Sequence, residues 1–258
     1  MVYWPPMSEA SELERRTIGK AFWRLMPLLF ICYGAAFLDR VNVNFASLHL
    51  GTDKDLAFSD AVYGMGAGIF FIGYFIFEVP SNLILERVGA RIWIARIMIL
   101  WGLISSAMMF MANKWHFYGL RFMLGAAEAG FFPGIILYFT YWFPRAYRSR
   151  IVSYFMMAAV GSSVLGGPLS GWLMDHPQFG LKGWQWLFVV EGIPSILLGF
   201  VVLGYLPNGP KQAKWLAPSE LAWITAKLEE ERAAQGPKAH LSLKQALTHP
   251  MVLMLSLI

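Results

Sequence analysis

The chain has 258 residues, 57% of them hydrophobic and 14% charged, with a mean hydropathy of +0.50. Soluble domains run nearer a quarter charged, so a soluble fold of this length would lack the charge to cover its surface. The formal net charge of +5 does not point to nucleic acid, because the basic residues sit in short loops beside apolar segments. The single cysteine, Cys32, excludes an intramolecular disulfide.

Residues 1–21 are polar and charged (Glu9, Glu12, Glu14, Arg15, Arg16, Lys20) and read as a cytoplasmic N-terminal segment. The apolar run that follows is too long for the core of a cleavable signal peptide, so the first span itself directs insertion. Apolar segments at 22–50, 61–85, 92–112, 115–143, 151–174 and 184–206 each suffice to cross a hydrocarbon core of roughly 30 Å. Residues 22–206 are therefore expected to form a six-helix transmembrane domain, with an all-α fold. Pro207-Asn208-Gly209-Pro210 stops the sixth helix and opens a polar linker, 207–249. Within it, 218–232 reads as an amphipathic helix on the membrane surface or in water. Its apolar face carries Leu221, Ile224, Ala226 and Leu228, set against Glu229, Glu230 and Glu231. Residues 250–258 begin another apolar run, read as the start of a seventh transmembrane helix.

The loops set an orientation. Arg15, Arg16, Lys20, Arg87, Arg91, Arg145, Arg148, Arg150 and the linker lysines fall on one side, whereas Lys54, Lys114 and Lys182 alone fall on the other. Basic loops stay in the cytoplasm. This places the N-terminus and the linker inside.

Charge within the spans carries the functional reading, because a charge at mid-bilayer is costly and usually faces a cavity. Asp39-Arg40 lies in the first span, and Arg121 and Glu128 in the fourth. The latter two are seven residues apart, so they share a helix face about 10 Å apart along the axis. A guanidinium is a bidentate, permanently charged partner for a substrate carboxylate, and a carboxyl group in low dielectric can load and release a proton. The set suits a proton-coupled anion carrier. Glu78 and Glu191, each close to a helix-breaking proline (Pro80, Pro194), read instead as members of internal ion pairs that lock helices together. Gly64, Gly66, Gly68 and Gly73 in the second span, and Gly161, Gly166, Gly167 and Gly171 in the fifth, permit close helix approach. Gly167-Pro168 is a place where the fifth helix could bend. Histidines lie at span ends or in loops, no metal-binding helix is present and no phosphate-binding loop exists, so neither an enzyme nor an ATP-driven pump is expected, and no metal or cofactor.

Several motifs together resemble a known family. Glu86-Arg87-Val88-Gly89-Ala90-Arg91 after the second span is similar to the signature loop of the major facilitator superfamily, with Glu for its Asp and Ala for the first Arg of its final pair. Gly161, Gly167-Pro168 and Gly171 resemble its second recurring motif. Phe37-Leu38-Asp39-Arg40-Val41-Asn42-Val43, the stretch from Arg121 through Glu128 to Gly134, and Trp186, Glu191-Gly192 and Pro194 resemble the anion:cation symporter family, particularly its bacterial tartrate, phthalate and hydroxyphenylacetate permeases. The resemblance implies the N-terminal six-helix bundle of a major facilitator fold. It implies proton-coupled symport of a small organic anion, a carboxylate such as tartrate or an aromatic acid, across the bacterial inner membrane by alternating access. On the same basis Asp39 and Glu128 are the protonatable pair, and Arg121, Tyr74 and Arg40 face the substrate, with Arg40 balancing Asp39. Glu86, Arg87, Gly89 and Arg91 form the conformational gating loop. Ala159 stands where some sugar-acid carriers have glutamine, which favours a smaller or more aromatic acid.

Carriers of that superfamily have two similar six-helix halves, so the partners expected are protons, the organic anion, the lipid bilayer and a C-terminal six-helix half. A second reading is a truncated, transport-inactive half-carrier, or a partner subunit that needs a second half.

Overall fold

Hydrocarbon offers a peptide group no water to bond, so a crossing chain must satisfy its backbone internally. In the computed structural model, which describes residues 12–234, helices do this throughout: α1 (Glu12–Leu50), α2 (Asp60–Val88), α3 (Ala90–Ala107), α4 (Lys114–Glu128), α5 (Phe131–Trp142), α6 (Arg145–Asp175), α7 (Gly183–Tyr205) and α8 (Pro218–Ala234). Among the described residues, six spans are long and apolar enough to cross a membrane: α1, α2, α3 with the 3-10 turn Met108–Phe110, α4 joined to α5, α6 and α7. The chain is a multi-pass helical membrane protein. The expected linker beyond residue 234 and the expected seventh helix at 250–258 lie outside the described residues, as do residues 1–11.

The fourth span differs from expectation because it is broken. Helix α4 ends at Glu128 and α5 starts at Phe131, and Gly130 between them is left-handed at φ 84°. Most L residues avoid that conformation, so glycine takes it. A side chain there would also strike Ser81 of α2. The prolines marked as breaking or bending points, Pro80, Pro194 and Pro168, do not interrupt their helices and lie inside continuous ones, as does Pro27. Pro133 falls in the first turn of α5, where no intrahelical donor is required.

Helices pack chiefly as α3 on α7, α2 on α4, and α1 on α6 and α7. Small residues bring backbones together: a side chain on Gly125 would meet the Phe70 carbonyl, and one on Gly102 the Gly192 carbonyl at 2.6 Å. Aromatic rings fill the seam between α1, α5 and α6, where Tyr33 stacks on Phe155 at 4.4 Å and Phe155 meets Phe139 edge-on at 5.5 Å. Outward positions on α2 (Phe71, Phe75, Ile76) stay exposed.

The two ends of the bundle are tied by polar contacts. At the end bearing Lys54, Lys114 and Lys182, the Lys182 ammonium donates to Asp53 (2.8 and 2.9 Å) and Asp55 (2.6 Å), and the Trp184 indole donates to Asp53 at 3.0 Å. At the other end α8 docks onto the bundle instead of standing free. Its buried stripe is Glu220, Ile224 and Leu228, one helical turn apart each, while Ala226 is exposed. Glu220 meets Lys20 (2.9 Å) and Arg16 (3.1 Å) of α1. Glu231 accepts from the Arg148 guanidinium (3.0 Å) and the Arg145 amide (2.8 Å) of α6. Trp215, just before α8, stacks on Trp142 at 5.5 Å.

Candidate functional site

Helices α1, α2 and α4 bring one cluster of charge together. Asn113 caps α4 by accepting from the Trp115 and His116 amides at 2.9 and 3.0 Å, so the helix begins at a fixed register. Two turns apart, Arg121 and Glu128 then both turn inward, 3% and 2% exposed. From α1, Arg40 reaches across and its guanidinium pairs with Glu128. Arg40 therefore does not balance its neighbour Asp39, as the resemblance implied. Consecutive residues on a helix point about 100° apart, and a partner across the bundle takes the guanidinium.

Phe70 of α2 meets both cations. The Arg121 guanidinium lies 4.6 Å from its ring centre and the Arg40 guanidinium 5.9 Å, while Tyr74 presents its ring to Arg40 at 5.7 Å. Arg121 donates from Nε to the Gly66 carbonyl at 3.4 Å. Arg121 Nη1 and Arg40 Nε are buried without a hydrogen-bond partner among the described residues. Unused donors of this kind are what an arriving carboxylate would engage. Arg40 is about a third exposed and Tyr74 half-buried, so the cluster is open on one side. Toward the Lys182 end, a cleft of about 460 Å³ lies between α1, α2 and α4, lined by Asn44, Ser47, Asp60, Tyr63 and Phe117 among others.

Asp39 belongs to a different neighbourhood. It is fully buried, with Oδ1 accepting from Asn42 (2.8 Å) and from the Ser105 hydroxyl of α3. Glu191 of α7, 6% exposed, accepts from Ser170 of α6 at 2.9 Å. The ion pairs expected for Glu78 and Glu191 are absent among the described residues. The Glu86–Arg91 loop joins α2 to α3 through Gly89, at φ 94°. It packs against the turn after α7, where Asn208 Oδ1 accepts from the Arg91 amide at 2.9 Å. The Glu86, Arg87 and Arg91 side chains are exposed. Phe70, Asn42 and Ser105 were missed as site residues. Phe70 is one turn before Tyr74 and so was marked by spacing, whereas Ser105 carried no signal.

Two guanidiniums around a buried carboxylate, inside a bundle of six apolar spans, mark a membrane protein rather than a soluble one. The family model of the Major Facilitator Superfamily matches residues 29–258, and the chain belongs to that superfamily. It is 51% identical over 249 residues to a putative tartrate transporter of Agrobacterium vitis, covering 96% of this chain and 57% of that protein. It is 54% identical over 224 residues to the putative metabolite transport protein NicT of Pseudomonas putida, covering 86% and 51%. Among solved structures, an inward-facing, occupied bacterial homologue of the human lysosomal transporter Spinster matches at a TM-score of 0.63 and 21% identity, covering 72% of this chain and 44% of that one. The chain spans about half the length of the curated relatives it matches.

Proposed function

We propose that this chain is the N-terminal half of a proton-coupled symporter for a small organic anion, a carboxylate such as tartrate or an aromatic acid. The observation that carries the reading is the pair of buried guanidinium donors without a partner among the described residues, Arg121 Nη1 and Arg40 Nε, both against Phe70. A carboxylate docking there gains charge-assisted hydrogen bonds in low dielectric, with Tyr74 lining the site. Glu128 competes with the substrate for Arg40. Protonating Glu128 cancels its charge and frees that guanidinium, so proton and anion bind together. Asp39 is the second proton-carrying group. The name of the Agrobacterium vitis relative, a putative tartrate transporter, supports an organic acid as cargo.

Alternating access would move this bundle against a second six-helix half. The Glu86–Arg91 loop, held to Asn208, serves as the gate. The basic loops support a cytoplasmic α8 and N-terminus in a bacterial inner-membrane protein. Uptake of radiolabelled carboxylates into vesicles, driven by an imposed pH gradient, tests the reading when the longest product of the gene is used. Asp39→Asn and Glu128→Gln should abolish gradient-driven uptake and retain anion exchange. Gradient-driven uptake intact in both variants would sink the assignment. The half-length coverage of the relatives also favours a second reading, that 258 residues alone transport nothing. The same assay on this chain by itself decides it.

A further inference from the structure

The cleft of about 460 Å³ toward the Lys182 end continues the walls of the proposed anion site. On α1, Asn44 and Ser47 of its lining follow Arg40 by four and seven residues, the spacing of one helix face. On α2, Ala67 and Tyr63 precede Phe70 by three and seven, and on α4 Phe117 precedes Arg121 by four. Four residues of helix rise about 6 Å, so the cleft opens one turn from the guanidiniums. Contacts join the two places directly. Arg121 Nε donates to the Gly66 carbonyl at 3.4 Å, and a side chain on Gly66 would strike the Phe117 ring. A ring-sized molecule with its carboxylate at Arg121 and Arg40 therefore lays its other end in the cleft.

The lining is aromatic, with one unused polar group. Ring centres lie 5.5 Å apart for Phe58 and Phe117, 5.6 Å for Tyr63 and Phe117, and 6.3 Å for Phe58 and Tyr63. Rings so grouped offer flat faces and edges on which a further ring packs. The Tyr63 hydroxyl is buried with no hydrogen-bond partner among the described residues. An orphaned hydroxyl is costly, and a ligand group that bonds it recovers the cost. Asp60 is the one charged residue among the described lining residues, and no cation pairs with it there. A second carboxylate at this end would meet an acid and no counter-charge.

We infer that this cleft is a subsite for the far end of the substrate, with Tyr63 the residue that sets specificity there. The cargo it fits is a flat aromatic monocarboxylate with a hydroxyl or ring nitrogen opposite its carboxylate. Phe58, Tyr63 and Phe117 pack the ring, and the Tyr63 hydroxyl bonds the far polar group. A dicarboxylate such as tartrate gains nothing from the cleft, because its second charge finds only Asp60. The inference rests on the anion-carrier reading for the carboxylate end and adds recognition of the other end.

The test is calorimetric titration of the longest product of the gene, held in lipid nanodiscs, with 4-hydroxybenzoate, benzoate, lactate and tartrate in turn. The unaltered protein should bind 4-hydroxybenzoate about tenfold more tightly than benzoate, the worth of one well-made hydrogen bond. Tyr63→Phe keeps the ring and its packing but removes the hydroxyl, and should erase that preference. Ala67→Leu adds bulk to the cleft wall and should weaken both aromatic acids more than lactate, which is too short to enter. If either variant fails to insert, the ranking of the four acids on the unaltered protein still decides. Tartrate binding as tightly as 4-hydroxybenzoate, or a preference that survives Tyr63→Phe, would overturn the subsite. With lactate still binding, only the subsite falls; with none of the four acids binding, the anion site falls as well.

Discussion

Arg40 decides how the proposed anion site behaves, because it is the partly exposed partner of a buried acid. Removing it leaves Glu128 ionised at 2% exposure with only Arg121 nearby. Removing one partner of a buried ion pair costs about 3–5 kcal/mol. Arg40→Ala should therefore destabilise the bundle by that order, Glu128→Gln by much less, and the double variant Arg40→Ala/Glu128→Gln should recover most of the loss. A double-mutant cycle on detergent unfolding measures it, and additive losses would mean that the pair contributes nothing. The candidate residues themselves were legible, since a charge inside an apolar span is conspicuous in any sequence. Their pairing was not. Neighbours in sequence, Asp39 and Arg40, part company because adjacent helical residues face different helices, and each finds its partner far away in the chain.

At the scale of elements, the break in the fourth span is the feature that sequence patterning obscured. An apolar run through 115–143 reads as one helix, and proline draws attention to other helices. Only the packing of α4 and α5 against α2 forces Gly130 to turn left-handed beside Ser81. Gly130→Ala should cost about 1–2 kcal/mol from the backbone conformation, with a further loss from the contact with Ser81. Pairing it with Ser81→Ala should restore only the contact part, as read from unfolding midpoints in micelles. Full recovery would mean that the left-handed turn carries no strain. Helix α8 shows the opposite balance. Its helical nature was plain from sequence, and Ile224 and Leu228 of the expected apolar face are buried, whereas Ala226 is exposed. Glu220, which was not placed on that face, goes inward to Arg16 and Lys20. Burial works to raise the proton affinity of Glu220, but hydrogen bonds from Lys20 and the Ala217 amide and the nearby charges hold it below the usual value.

Across the whole molecule, the ties at the two ends make the bundle one unit. The Lys182 latch joins the loop after α1 to the start of α7, and it carries a definite pH signature. Burial opposes ionisation of Asp53, but hydrogen bonds from Lys182, the Asp55 amide and Trp184 outweigh it and hold the carboxyl at about 2, against an ordinary value of 3.8. The folded value is depressed, so the latch contributes fully above the ordinary aspartate range and is lost as pH falls through that lower value. Unfolding midpoints should drop between these two values in the unaltered chain and less so in Asp53→Asn. Equal drops would assign the acid sensitivity elsewhere. Lys182 also reports orientation: a membrane-impermeant amine reagent added outside intact cells should modify it after Asp53→Asn loosens the latch. Modification only after the membrane is breached would reverse the proposed topology.

Sequence alone determined the membrane-spanning class, the six apolar spans and the acids and guanidiniums worth examining, because hydrophobic length and intramembrane charge are local, additive properties of a chain. The family followed from motifs, which are local as well. Tertiary structure alone decided that Arg40 belongs to Glu128, that Asp39 stands with Asn42 and Ser105, that Phe70 meets both guanidiniums, and that the fourth span breaks at Gly130. Those are questions of which helix face meets which, and helix rotation and packing depend on the whole bundle at once.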